Sequence, residues 1–142
     1  MESDASRELG TARLVVTLMY VAVLVVFPMV GRVVEVEASV DQETLRVVTL
    51  VLGTVAAVDY VLSLVLEQRL LARKAAGGQS PVITAAVLVG AFGVSLAAYG
   101  LVLTLLGEPK WGALLYVLCA LHGLHLMIRW PRYARAVREE PY

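Results

Sequence analysis

One cysteine, Cys119, leaves no second thiol for an internal disulfide and no cysteine cluster for a structural metal. Its place in an apolar run suits a small buried packing residue and leaves the redox compartment open. Charge is scarce and balanced, with charged residues at 17% and 12 basic against 12 acidic side chains. A formal net charge of zero, without a basic stripe interleaved with aromatics, removes the electrostatic case for nucleic acid. Also missing are a phosphate loop, a dinucleotide fingerprint, a nucleophile elbow and an HExxH pair. The soluble segments are too short for a separate catalytic domain, so nothing marks the chain as an enzyme. What fills it is hydrocarbon: 59% of residues are hydrophobic and the mean hydropathy is +0.77, where a soluble domain has about 45–50% apolar residues.

Four apolar runs are long enough to span a bilayer, since a helix rises ~1.5 Å per residue and must cross ~30 Å of hydrocarbon. They fall at about residues 12–34, 45–66, 82–106 and 111–130. Strand alternation is absent from all four, and lipid leaves helices as the remaining way to satisfy the backbone. The expected fold is all-α, an integral membrane four-helix bundle of two hairpins in a single transmembrane domain over residues 1–142. No small-residue cleavage pattern follows the first run, which is expected to remain in the mature protein.

Orientation follows from Lys and Arg in the short loops. Arg7, Arg13, Arg69, Arg73, Lys74, Arg129, Arg132, Arg135 and Arg138 fall on one side, against Arg32, Arg46 and Lys110 on the other. This places both termini in the cytoplasm and the chain in the inner (cytoplasmic) membrane. The loop with Gly77-Gly78 and Ser80-Pro81 divides the two hairpins. "GEPK", Gly107 to Lys110, reads as a tight turn that makes the third and fourth helices antiparallel neighbours. The longer acidic connection, with Glu35, Glu37, Asp41 and Glu43, reads as a solvated loop or a docking surface for an outer partner. Ser39 with Gln42, or Asp41 with Thr44, would cap the second helix.

Lipid is as apolar as leucine, so helices associate through close backbone approach and occasional polar pairs. Ala86, Gly90, Gly93, Ala97, Gly100 and Thr104 recur at spacings of four and three, forming one small-residue stripe on the third helix. Gly53 and Ala57 on the second helix, and Gly112 and Gly123 on the fourth, offer matching grooves. Trp111 and Trp130 mark the ends of the fourth helix. Beyond it, Pro131 suits a first helical turn, and residues 131–142 read as a short amphipathic tail setting Arg129, Arg132, Arg135 and Arg138 near anionic head groups.

Three ionisable residues stand in the apolar spans. Asp59 should face the bundle, because its charge costs at least ~2.5–3.5 kcal/mol in the membrane, or else be protonated. His122 and His125 are three apart on one helical face, and His122 falls at nearly the depth of Asp59. Three meanings compete: a buried polar pair that fixes helix register, a proton or ion relay, and a ligand set for haem b or a metal ion. No cofactor is required by any of these residues alone.

"SLAAYGLVLTLL", Ser95 to Leu106, resembles the carboxylate-bearing helix of the proteolipid c subunits of rotary ATP synthases. With the glycine turn, a last apolar helix and "RWPR", Arg129 to Arg132, it is similar to a group of small uncharacterised four-helix bacterial membrane proteins with a c-subunit-like third helix. The likeness covers roughly the C-terminal sixty residues. Val94 stands where ring subunits keep their ion-binding carboxylate, so what the resemblance implies is a style of packing without the ion-carrying role. The expected function is that of a small accessory or assembly subunit of a membrane complex. Its partners would be lipids and other subunits, or copies of itself. The alternative is a proton-, ion- or haem-handling component built on Asp59, His122 and His125.

Overall fold

Long runs of Val, Leu and Ala, which in a bilayer would have no water to satisfy the backbone, favour helix, and among the described residues each run is helical. The computed structural model describes residues 4–34, 40–72 and 81–138. Within them lie four helices: α1 (Asp4–Val33), α2 (Gln42–Ala72), α3 (Pro81–Leu105) and α4 (Pro109–Arg138). Each is long and apolar enough to cross a membrane, as in a multi-pass membrane protein. Three are longer than their apolar runs: α1, α2 and α4 have 30, 31 and 30 residues, ~45 Å at ~1.5 Å per residue.

Local chemistry sets the helix ends. Asp41 caps α2: its Oδ1 accepts the Thr44 amide at 2.8 Å and its Oδ2 accepts the Thr44 hydroxyl at 2.6 Å. These bonds hold the Asp41 carboxyl below the usual carboxylate range. The cap is therefore intact above the ordinary aspartate range and weakens as pH falls through the lowered value. Asp41→Ala is expected to speed hydrogen exchange at the Thr44 and Leu45 amides while leaving the middle of α2 protected. The alternative cap, Ser39, lies outside the described residues, as do Glu35, Glu37, Arg73, Lys74, Gly77, Gly78 and the side chain of Arg138.

At "GEPK" the turn follows from glycine. Gly107 takes φ +94°, which other residues rarely adopt, and ends α3 in a Schellman motif. Its amide donates to Thr104 O at 3.2 Å, and the Glu108 amide donates to Leu103 O at 2.8 Å. Pro109 then opens α4, where its missing N–H costs nothing. The second proline behaves differently from the expectation. Residues 131–138 continue α4 without interruption through Pro131, so no separate tail helix starts there.

α3 is the centre of the bundle. Its most apolar window is 44% buried, against 11% in α1 and in α2, and it packs on all three other helices. The small-residue stripe explains this. A methyl on Gly90 would meet Val16 Cγ1 at 3.0 Å, and one on Gly100 would meet the Gly112 carbonyl oxygen at 2.9 Å. Ala86 and Ala97 are fully buried, and Thr104 packs against Gly31 and Gly112. The matching grooves are thus on α1 and α4. Gly53 and Ala57 of α2 face outwards, and nothing lies within 4 Å of a methyl built on Gly53.

The helices form a rhombus with α3 and α4 on its short diagonal. α1 and α2 pack on both of these, yet among the described residues they do not pack on each other. The first two helices are therefore not the packed hairpin expected from their order. Tyr20 and Thr17 of α1 meet His122 and Met127 of α4 in turn, so the two helices run antiparallel and both ends of the described chain fall at one end of the bundle.

Candidate functional site

Four helices of alternating direction bring one polar residue each, or a notch for one, to a common level. His122 on α4 is 1% exposed and takes a partner at each ring nitrogen. Nδ1 is 2.7 Å from the Tyr20 hydroxyl of α1, and Nε2 is 2.8 Å from Ser63 Oγ of α2. α3 contributes the space: a methyl on Gly93 would coincide with the Tyr20 hydroxyl and fall against His122 Nδ1. Gly123, beside His122, admits the flat of the Tyr20 ring, 2.7 Å from where its own methyl would be. Tyr60 of α2 closes the level edge-on to the imidazole, with ring centroids 5.3 Å apart.

Counting protons orders this level. Ser63 Oγ is 2.7 Å from the Tyr60 carbonyl oxygen, which can only accept, so the single Ser63 proton is committed there. Nε2–H then donates to Ser63 Oγ, and the Tyr20 hydroxyl donates to an unprotonated Nδ1. Three contacts use three protons, and the histidine is the neutral Nε2–H tautomer, assigned from its partners. The result is a directed chain, Tyr20 to His122 to Ser63 to the Tyr60 carbonyl. It joins the two helices that do not touch.

One level nearer the chain ends lies a cluster that the apolar runs did not reveal. Glu67 of α2, 1% exposed, pairs with Arg129 of α4, the Nη1–Oε2 distance being 2.7 Å. Arg129, expected at lipid head groups, turns its guanidinium inwards, while Arg132 and Arg135 are exposed. His125 Nε2 lies 3.3 Å from Arg129 Nη1. Tyr133, fully buried and stacked on Trp130, sets its hydroxyl within electrostatic reach of Glu67 and Arg129. Glu67 continues a four-residue spacing begun by Asp59 and Ser63, a periodicity that extends past the apolar run and marks the residue.

Asp59 lies apart from both histidines. Its Oδ2 is 2.7 Å from the Tyr99 hydroxyl and 3.1 Å from Ser95 Oγ, both on α3. The hydrogen bond between Asp59 and His122 expected from a shared depth is not made: His122 lies level with Ser63, one turn further along α2, while Asp59 bonds to α3. Among the described residues no three His, Cys, Asp or Glu side chains converge, so Asp59, His122 and His125 form no common metal site. A haem iron would have to displace Tyr20 or Ser63 from His122.

The fold and this core define a class: an all-helical protein whose four described helices are each long and apolar enough to cross a membrane, with polar side chains buried between them. No protein-family model, curated protein or solved structure matches the chain significantly.

Proposed function

We propose that the chain is a small accessory or assembly subunit of a membrane complex, acting through the outer faces of its helices. The observation that carries this is the division of its small residues. The α3 stripe is consumed by the chain's own α1 and α4, whereas Gly53 and Ala57 form an unfilled notch on the outward face of α2. Leu50, Val58 and Val61 extend that face, at 71%, 51% and 58% exposed. Small residues four apart are what a partner helix needs for close backbone approach in lipid. The His122 level supports the same reading, since its proton chain ends on a backbone carbonyl and leaves no reactive group free.

In this reading the end bearing Arg7, Arg69, Arg132 and Arg135 is cytoplasmic, with Arg132 and Arg135 near anionic head groups, and the membrane is a bacterial inner membrane. Native mass spectrometry of tagged protein from its host's membranes tests it. The expected spectrum contains the masses of co-purifying subunits or of a homo-oligomer. Gly53→Leu is expected to release them while leaving the thermal unfolding of the chain itself unchanged. A monomer with nothing bound in the wild type would overturn the proposal.

A further inference from the structure

Between α1 and α3, on an outer edge of the rhombus, a groove of about 600 Å³ runs from the first turns of α1 towards the level where Val16 seats on Gly90. Val15 and Val87, each 42% exposed, form its walls, and buried Ala12 forms its floor. Ile83, in the first turn of α3, lines the mouth. From Arg7 at the mouth to Val15 is eight residues, ~12 Å of helix. The trough is therefore apolar along its length and deep enough to take the upper part of an acyl chain.

Its mouth carries one charge of each sign. Arg7 and Glu8 both line the groove and are exposed, and among the described residues neither enters an ion pair. Being consecutive on a helix, their side chains do not face each other, so they do not neutralise one another. α3 bears no Asp, Glu, Lys or Arg, and the charge at this site comes from α1 alone. Thr11 donates its hydroxyl proton to the Arg7 carbonyl oxygen at 3.1 Å, which leaves its oxygen as an acceptor at the groove. A guanidinium that binds phosphate oxygens thus stands beside a carboxylate and a hydroxyl oxygen that accept N–H bonds.

The charge pattern selects among membrane lipids. A head group with only negative charge would satisfy Arg7 and be repelled by Glu8. A quaternary ammonium has no N–H to give to Glu8 or Thr11. An ethanolamine phospholipid has both a phosphate and a primary ammonium, with acyl chains below them.

We infer that the groove seats one ethanolamine phospholipid of the leaflet at that end: its phosphate on Arg7, its ammonium on Glu8 and Thr11 Oγ1, and one acyl chain against Ala12, Val15 and Val87. The seat depends on the chain spanning a bilayer and is independent of the subunit proposal. It would hold a lipid on a chain that works alone as well as on one in a complex.

Native mass spectrometry reads it directly. The full chain, stripped of lipid in detergent, is titrated with equal amounts of phosphatidylethanolamine, phosphatidylcholine and phosphatidylglycerol of identical acyl chains, and bound lipids are counted on its mass, whether or not a second subunit is attached. The first lipid bound should be the ethanolamine lipid, by about fivefold over either competitor, the upper yield of one surface ion pair. Glu8→Gln is expected to level phosphatidylethanolamine with phosphatidylcholine, and Arg7→Gln to weaken all three. Val87→Trp, which fills the trough, should remove the first bound lipid. All three positions are exposed, and thermal unfolding of the lipid-free variants checks that they remain folded. Equal occupancy by the three lipids in the wild type, which needs no variant, would overturn the inference, as would an ethanolamine preference that survives Glu8→Gln.

Discussion

Gly93→Ala is expected to abolish the cooperative unfolding of the bundle, although it adds a single methyl group. The new carbon would overlap the Tyr20 hydroxyl and lie 2.6 Å from Tyr20 Cζ, with His122 Nδ1 also inside contact distance. Neither ring can retreat, because His122 is fixed on its far side by Ser63 and Tyr20 lies flat on Gly123. Overpacking a dense core costs about 1–3 kcal/mol, and each broken buried hydrogen bond adds about 0.5–1.5 kcal/mol. With two bonds at risk the sum is about 2–6 kcal/mol, comparable with much of the stability of a small domain. Thermal unfolding in detergent micelles measures it, with Gly53→Ala as the control. That control places its methyl in open space and should leave the unfolding midpoint unchanged.

Arg129→Leu should be nearly as damaging, and for the opposite reason. It leaves Glu67, 1% exposed, without its counter-charge. Breaking a buried pair from one side typically costs about 3–5 kcal/mol, because the remaining charge stays desolvated. Glu67→Leu alone strands the guanidinium, but Arg129 is 17% exposed and can reach outwards, so its loss should be the smaller of the two. Replacing both with leucine removes the charges together and should recover most of the stability. A double-mutant cycle of unfolding free energies gives the coupling. Near-additive single losses would mean that the two side chains act separately.

Much of this architecture is legible along the chain. Four apolar runs give four helices, Gly107 and Pro109 give the turn, Asp41 with Thr44 gives a cap, and the small residues from Ala86 to Thr104 give the central seam. Each of these signals is local or periodic along one helix. The polar layer is not, because it depends on which helices touch. Asp59 and His122 read as level with each other along the chain, yet His122 meets Ser63 one turn further along α2 and Asp59 bonds to α3. Glu67 escaped because it sits just past the last leucine of its run, where a charged residue reads as a loop boundary. Arg129 looked like a head-group anchor for the same reason, its true partner lying 62 positions away. Pro131 suggested a break that the helix absorbs by giving up one amide donor.

The separation of α1 from α2 bears on how the protein is made. Helices that leave the ribosome first would ordinarily zip together first, but among the described residues these two share no surface. Each must wait for the second half of the chain, whose α3 supplies the wedge and whose His122 clasps one early helix with each ring nitrogen. The imidazole works as a keystone set last, and the half-built protein is two loose staves. Folding yield in the cell should therefore depend on how promptly the third and fourth spans follow, and a pause between residues 72 and 81 is where membrane proteases would find their opportunity.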